Sequence, residues 1–255
     1  MTIVKDFDDS KTALINPSDF TKPVDGFPAI CVSTFSEKII EKFATMDNVS
    51  VIAQLYSANG ILPVYKIPYK GVDIAFYLSR VGAPACVAGF EEVVAMGAKK
   101  MVLFGSCGVL DDDAAKGRII VPISAIRDEG TSYHYLPAAD EVQAENHSTD
   151  VLVRCLEKYN YPYVKGKVWT TDAIYRETAG KIEKRKQQRC IGVDMECSAM
   201  LAVSQFRNIP FVQFLFGADS LDNDAWEAKD LLEYGLTGAE KYMALAFECA
   251  VTLLL

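Results

Sequence analysis

The chain has 255 residues, of which 26 are Lys or Arg and 34 are Asp or Glu, so its formal net charge is −8. Half of the residues are apolar and 24% are charged, which is the composition of a soluble globular protein. The acidic balance argues against a nucleic-acid or anionic-membrane partner, since both require clustered cations. The length predicts a single α/β domain over residues 1–255 with an ample core.

The seven cysteines are odd in number and include no Cys-x-x-Cys pair, which fits neither a disulfide framework nor a zinc site. Only two histidines occur, His134 and His147, which excludes a multi-histidine metal centre. The N-terminus lacks the apolar run of a signal peptide, and no stretch approaches the ~18 apolar residues of a membrane helix. We therefore expect a cytoplasmic protein without a metal site.

Residues 1–28 are polar and broken by prolines, which predicts an irregular lead-in. Apolar, β-rich runs then predict strands at 29–32, 72–78, 101–104, 119–121, 164–168 and 211–216. Helical patterns occur at 36–43, 85–97, 150–159, 195–206 and 238–255. This alternation predicts a three-layer α/β/α fold with a mixed, largely parallel central sheet. Ligands bind such sheets at the carboxyl ends of the strands, so the loops there hold the candidate site residues.

The run 101–104 continues into Gly105-Ser106-Cys107-Gly108. Glycines let the backbone approach an anion closely, and successive N–H groups can form an anion-binding nest. The Ser106 hydroxyl adds a further donor. On the residues alone, a plain strand-to-loop turn explains the two glycines better than an anion site does, since two glycines are weak evidence.

Two carboxylates, Asp194 and Glu196, enter a small, apolar helix start at 192–200. A buried acid needs a partner, because an uncompensated charge is expensive there. The vicinal diol of a ribose is one such partner, since a single carboxylate can accept from both hydroxyls. Favourable electrostatics at a helix N-terminus is the alternative, and the residues alone do not decide between them.

Two further strand ends carry polar groups. Asp219 follows the run 211–216, and an Asp held neutral by burial could donate a proton to a leaving group. Its alternative role is to cap a helix containing Trp226. The segment 169–178 places an aromatic ring, a guanidinium and hydroxyls after a strand, which suits a planar base. There Tyr175 could equally be core and Arg176 a surface cation.

In this order, the segments resemble the nucleoside phosphorylase family that contains uridine phosphorylase and the hexameric purine nucleoside phosphorylases. Val81-Gly82-Ala83-Pro84-Ala85 and Phe104-Gly105-Ser106-Cys107-Gly108 are similar to its paired Gly-Pro-Ser and Gly-Ser-Cys-Gly signature. Asp194-Met195-Glu196-Cys197-Ser198-Ala199 is similar to its ribose motif, and Ala218-Asp219 stands where purine-specific members carry Ser-Asp. The resemblance covers roughly residues 29–255.

The resemblance implies cleavage of a nucleoside by inorganic phosphate as co-substrate, without a cofactor, in nucleoside salvage. It implies that Glu196 binds the ribose hydroxyls and favours a cationic sugar ring electrostatically. Met195 would pack beneath the sugar, and Gly105 and Ser106 would hold the phosphate. Asp219 would protonate, or hydrogen-bond, the purine N7.

The same resemblance assigns base binding to the loop that contains Ile174, Tyr175 and Arg176. Ile174 replaces the usual Phe of the aromatic pair. The acid at Asp219 favours a purine, whereas the segment 128–134 resembles the uridine-type loop, so uridine phosphorylase stays an alternative. Family members assemble as dimer-based hexamers or related rings, so we expect a homo-oligomer.

The chain departs from the family at its phosphate and ribose ligands. Leu103 stands where relatives carry a phosphate-directed Arg, and residues 33–38 replace their Gly-Asp-Pro-x-Arg loop. No His precedes His134, so an N-terminal ribose ligand is missing too. From its position, Arg80 is predicted to supply the missing cation. A nucleoside hydrolase and a non-catalytic nucleoside-binding protein are the alternatives that these losses leave open.

Overall fold

The computed structural model describes residues 3–222, 227 and 239–254. The lead-in contains one 3-10 turn, Ile3–Lys5, and a one-turn helix α1, Pro17–Phe20. Asp224, Trp226 and both ends of the predicted helix 238–255 lie outside the described residues.

The strands follow in chain order: β1 (Ile30–Thr34), β2 (Ser50–Ser57), β3 (Gly60–Tyr69), β4 (Val72–Leu78), β5 (Lys100–Val109), β6 (Ile119–Asp128), β7 (Glu141–Gln143), β8 (Tyr163–Thr171), β9 (Cys190–Asp194) and β10 (Phe211–Ser220). The helices between and after them are α2 (Glu37–Ala44), α3 (Ala83–Met96), α4 (Asp112–Ala115), α5 (Asn146–Lys158), α6 (Ala179–Gln187), α7 (Cys197–Arg207) and α8 (Ala239–Leu254). Short 3-10 turns cover Thr131–His134 and Ile174–Arg176.

The ten strands form one mixed sheet in the order β10-β6-β8-β9-β5-β1-β4-β3-β2, with β7 added to β6. β4, β1, β5 and β10 are mutually parallel neighbours, and β6, β8 and β9 form a second parallel group. β2 and β3 extend the sheet through antiparallel hairpins. The predicted mixed α/β sheet is therefore confirmed.

One half of the sheet closes on itself. β5 pairs with β10 along its length, and the tip of β5 also pairs with β9. Because β10 pairs with β6, β6 with β8 and β8 with β9, these five strands complete a ring. The closure brings the end of β9 and the end of β10 to the same point, the carboxyl end of β5.

Two apolar clusters cover the two faces of the sheet, as a three-layer arrangement requires. One contains Phe90 of α3 and Met200 of α7. The other contains Ile40 of α2, Leu156 of α5 and Phe247 of α8. Within the described residues, no helix combines the length and apolar character that crossing a membrane would require.

β2, β3, β7, β9 and α6 lack the sequence patterns that predict strands and helices, for physical reasons. Most residues of β2 and β3 are exposed or half-buried, so these strands lack the continuous apolar run of an interior strand. β7 and β9 have only three and five residues. α6 buries none of its residues and therefore shows no apolar stripe.

An ion pair connects α3 and α7. Arg207 Nε and Nη2 donate to the two carboxylate oxygens of Glu91 at 2.8 and 2.9 Å, and Glu91 is only 8% exposed. Arg207 Nη1 also donates to the Lys11 carbonyl oxygen at 2.8 Å, which fastens the lead-in to the domain.

Replacing this arginine should destabilise the fold. We expect Arg207→Ala to lower the free energy of unfolding by about 2 kcal/mol, because it leaves a buried carboxylate without its partner. Urea denaturation measures the change. Arg154→Ala, at an exposed position of α5, is the matched control and should leave the midpoint unchanged. Equal midpoints for both variants would show that the ion pair contributes nothing.

Candidate active site

A cavity of about 270 Å³ opens at the carboxyl end of β5. It is bounded by the loops that follow β1, β4 and β8 and by the ends of β9 and β10. Its lining residues are Thr34, Phe35, Ser36, Val81, Gly105, Ser106, Cys107, Gly108, Ile174, Glu177, Val193, Asp194, Met195, Glu196, Phe216 and Asp219.

Gly108 lies between the ends of β9 and β10. It pairs with Val193 of β9 on one edge of β5 and with Asp219 of β10 on the other. A Cβ atom on Gly108 would lie 2.9 Å from Val193 Cγ1, 3.0 Å from Leu221 Cδ1 and 3.6 Å from Asp219 Oδ1. A side chain larger than hydrogen would therefore require the Val193 and Leu221 side chains to move.

Gly105 and Ser106 form a second wall of the cavity with the start of α2. They lie within β5 and not in the turn that the sequence predicted, because β5 continues beyond them in register with β10. A Cβ atom on Gly105 would lie 2.7 Å from the Phe35 ring, so this glycine lets Phe35 pack directly on the strand. Ser36 caps α2, its side chain accepting from the Ile39 N–H at 3.4 Å. The positive end of the α2 dipole thus adjoins a strand segment with an exposed residue at Ser106.

Glu196 is 5% exposed, and its Oε1 accepts a hydrogen bond from the Gly82 N–H at 2.6 Å. Gly82 has φ +96°, a conformation that favours glycine, and it immediately precedes α3. Burial raises the pKa of Glu196 above its usual value, and the neighbouring Asp194 carboxyl raises it further. The Gly82 N–H opposes this shift. The cavity therefore contains a carboxyl group that is costly to ionise without a ligand.

Asp194 ends β9 and is held by protein groups. Its Oδ1 accepts from Thr170 Oγ1 of β8 at 2.7 Å, and its Oδ2 accepts from the Cys197 N–H at 2.8 Å. Burial raises the pKa of Asp194, while these hydrogen bonds lower it. Asp194 thus supports the start of α7, which is the helix N-terminal role that the sequence left open. Among the described residues, Glu196 accepts hydrogen bonds from backbone N–H groups alone, and it lines the cavity.

Glu177 lines the cavity although the sequence analysis assigned it no role. It follows the 3-10 turn Ile174–Arg176, and its backbone N–H donates to the Ile174 carbonyl oxygen at 3.4 Å. Burial, and after it the nearby Asp219 carboxyl, raise the pKa of Glu177 to about 7 against the opposing effect of Lys181. The only sequence signal was a carboxylate in a loop that follows a buried strand.

The cavity brings together six of the predicted site residues: Gly105, Ser106, Ile174, Met195, Glu196 and Asp219. Tyr175 and Arg176 are not among its lining residues, and Tyr175 is 96% exposed. Asp219 belongs to β10, where a bulge between Gly217 and Asp219 shifts the register with β5.

The predicted phosphate cation lies elsewhere. Arg80 does not line the cavity, and its Nη2 donates to the Gly60 carbonyl oxygen at 2.9 Å, in the turn between β2 and β3. Its phosphate role stays a prediction that requires the guanidinium to leave Gly60. Leu103 is fully buried in the core. Among the described lining residues there is no Lys or Arg.

A family model for the phosphorylase superfamily matches residues 29–248, and the chain belongs to that superfamily. The predicted family is therefore confirmed. The chain is 22% identical over 157 residues to a guanosine phosphorylase of Halorubrum lacusprofundi, an alignment that spans 62% of this chain and 65% of the relative. It is 25% identical over 170 residues to a purine nucleoside phosphorylase of Plasmodium falciparum, spanning 64% and 69%.

Solved structures show the same fold. Uridine phosphorylase from Vibrio fischeri ES114, complexed with 6-hydroxy-1-naphthoic acid, superposes with a TM-score of 0.76 at 22% identity. The superposition covers 93% of this chain and 98% of that one. AMP nucleosidase from Bacteroides thetaiotaomicron gives a TM-score of 0.71 at 20% identity and covers 91% of each chain.

The raised pKa of Glu177 predicts a pH-dependent stability. Its folded-state pKa of about 7 exceeds the ordinary 4.5, so the stability it contributes is present below about pH 4.5 and is lost as the pH rises through about 7. Glu177→Gln does not titrate. We expect the melting temperature of Glu177→Gln minus that of the wild type to increase as the pH rises through this range, and to stay constant above it.

Thermal unfolding at about pH 5 and about pH 8 measures this difference. Glu183→Gln removes an exposed carboxylate of α6 and is the matched control, with no change expected between the two pH values. A Glu177→Gln difference that is the same at both pH values would contradict the assigned titration.

Proposed function

We propose that the protein cleaves the N-glycosidic bond of a nucleoside, with a preference for purines, by transferring the ribose to inorganic phosphate. The products are the free base and ribose 1-phosphate. The observation that carries the proposal is that one cavity is lined by Gly105 and Ser106 of β5 together with Glu196 and Asp219. The phosphorylases among its relatives support the same reaction class.

Glu196 suits the ribose. Its carboxylate can accept hydrogen bonds from two neighbouring hydroxyls. These bonds would offset the cost of burying the carboxylate, which the single hydrogen bond from the Gly82 N–H offsets only in part. Bond cleavage makes the sugar cationic, and a carboxylate beside it stabilises that charge more strongly in a dry cavity than in water. Met195 lines the same wall and offers an apolar surface to the sugar.

The Gly105–Ser106 segment of β5 suits the phosphate. The Ser106 hydroxyl and the positive end of α2 are the groups that attract an anion here. Such donors bind an anion without a cationic side chain, although charge-assisted hydrogen bonds would be stronger.

Asp219 suits the departing base. As the bond breaks, negative charge builds on the ring, and a carboxyl group that donates or shares a proton stabilises it. Ile174 and Phe216 add apolar surface for a planar ring.

Hydrolysis is the second candidate reaction. The lack of Lys and Arg among the described lining residues favours water over phosphate as nucleophile, and AMP nucleosidase shares the fold. The two reactions differ in one measurement, base release from inosine, adenosine, guanosine and uridine with and without phosphate. Phosphate-dependent release supports phosphorolysis, and equal release without phosphate supports hydrolysis. No release from any substrate would overturn both.

Two substitutions test the assigned groups. We expect Glu196→Gln and Asp219→Asn each to lower kcat/KM for the best substrate by about 100-fold or more, because each removes an ionic or proton-donating contact made at the transition state. Steady-state kinetics at saturating phosphate measure this loss.

Glu183→Gln and Asp47→Asn change the same functional groups at exposed positions and should keep wild-type kinetics. Unfolding curves show whether each variant is folded. A folded Glu196→Gln or Asp219→Asn protein with unchanged kcat/KM would refute the role of that residue.

A further inference from the structure

Two carboxyl groups share one part of the cavity although they come from different parts of the fold. Asp219 lies on β10 beside Gly108, and Glu177 lies in the loop between β8 and α6. Both line the cavity, and the Asp219 carboxyl raises the energy of ionising Glu177. Neither the proposed ribose site nor the proposed phosphate site includes Glu177.

We propose that Glu177 determines which base the cavity accepts, by hydrogen-bonding the exocyclic group at C6 while Asp219 contacts the adjacent N7. The proposal rests on the proposed function only in taking a purine base as the ligand. It assigns to Glu177 a specificity role and leaves the bond-breaking chemistry to other groups.

The surroundings of Glu177 favour a ligand contact over a structural role. Among the described residues, no hydrogen-bond donor contacts its carboxylate, although the side chain is partly buried. Lys181 of α6 is the nearby cation, and its Nζ lies 3.3 Å from Asp128 Oδ2. A carboxyl group that served only to hold the loop would be expected to bond to it.

Other titratable groups also face this space. Asp219 approaches from β10, Cys107 lines the wall on β5, and Asp194 and Glu196 lie across the cavity at the end of β9. Three of these groups are carboxyl groups and Cys107 is a thiol. Within the described residues, Lys181 is the one cation that lowers the pKa of Glu177. In this environment Glu177 exchanges its proton near neutral pH, with a pKa of about 7.

The protonation state then selects the base. A protonated carboxyl donates a hydrogen bond, whereas an ionised one only accepts. A 6-oxopurine presents two acceptors on this edge, O6 and N7, and a 6-aminopurine presents a donor at N6 beside the N7 acceptor. Protonated Glu177 therefore matches the oxo base and ionised Glu177 the amino base. The preference should therefore shift from the 6-oxopurine towards the 6-aminopurine as the pH rises through the pKa of Glu177.

Calorimetric binding of hypoxanthine and of adenine to the full chain, at about pH 6 and about pH 8, tests this. The protonated fraction of Glu177 falls from ~90% to ~10% over this range, so each affinity should change by up to ~10-fold, in opposite directions. The ratio of hypoxanthine to adenine affinity should thus fall by more than ~10-fold in the wild type.

Glu177→Gln keeps the size of the side chain and cannot titrate, so its affinity ratio should be nearly independent of pH. Comparing the variant with the wild type also cancels any ionisation of the free bases. Glu183→Gln is the control and should behave as the wild type does. If Glu177→Gln fails to fold, Glu177→Asp replaces it and should retain the pH dependence with weaker binding of both bases.

A wild-type ratio that does not change with pH, or an equal change in Glu177→Gln, would overturn the proposal. Binding of neither base at either pH would overturn it too. These measurements require no phosphate and no turnover. The wild type could show no phosphate-dependent base release and still show the pH-dependent affinity ratio that Glu177→Gln abolishes. That result would refute phosphorolysis and leave the specificity role of Glu177 standing.

Discussion

The pairing of β9 and β10 with the two edges of β5 at Gly108 is the constraint on which the site depends. A Cβ atom at Gly108 would lie only 2.9 Å from Val193 Cγ1, so glycine allows this close pairing. Because β9 continues directly into Glu196, the pairing fixes Glu196 on one side of β5. Asp219 is fixed on the other side by its own register with Gly108. The closed ring of strands thus sets the separation of the two acids.

The charge of the cavity follows from this geometry. Four carboxyl groups line it, those of Asp194, Glu196, Glu177 and Asp219, and no Lys or Arg joins them among the described lining residues. Burial raises the pKa values of the first three, and for Glu196 and Glu177 a neighbouring carboxyl adds to the effect. Such a cavity favours a substrate that becomes cationic at its centre, as a sugar does when its base departs.

The sequence predicted the elements whose physical signal is local. Interior strands are buried on both faces and therefore read as apolar runs, which is why 72–78 matches β4 and 211–216 falls within β10. Half-exposed β2 and β3, short β9 and polar α6 carry no such run. At the site, Ser106 of β5 and Asp219 of β10 line the cavity. Tyr175 does not line it and is exposed, because it lies in a 3-10 turn whose direction a linear pattern does not show.

The sequence by itself determined the alternation of strands and helices, the family and the acids and glycines that the cavity contains. Only the tertiary structure decided that Asp194 supports α7 while Glu196 faces the cavity, that Arg80 bonds to Gly60, and that Glu177 meets Asp219. The reason is physical. Burial, hydrogen bonding and the energy of ionising a carboxyl group depend on distances in space between residues far apart in the chain, and a linear pattern does not contain those distances.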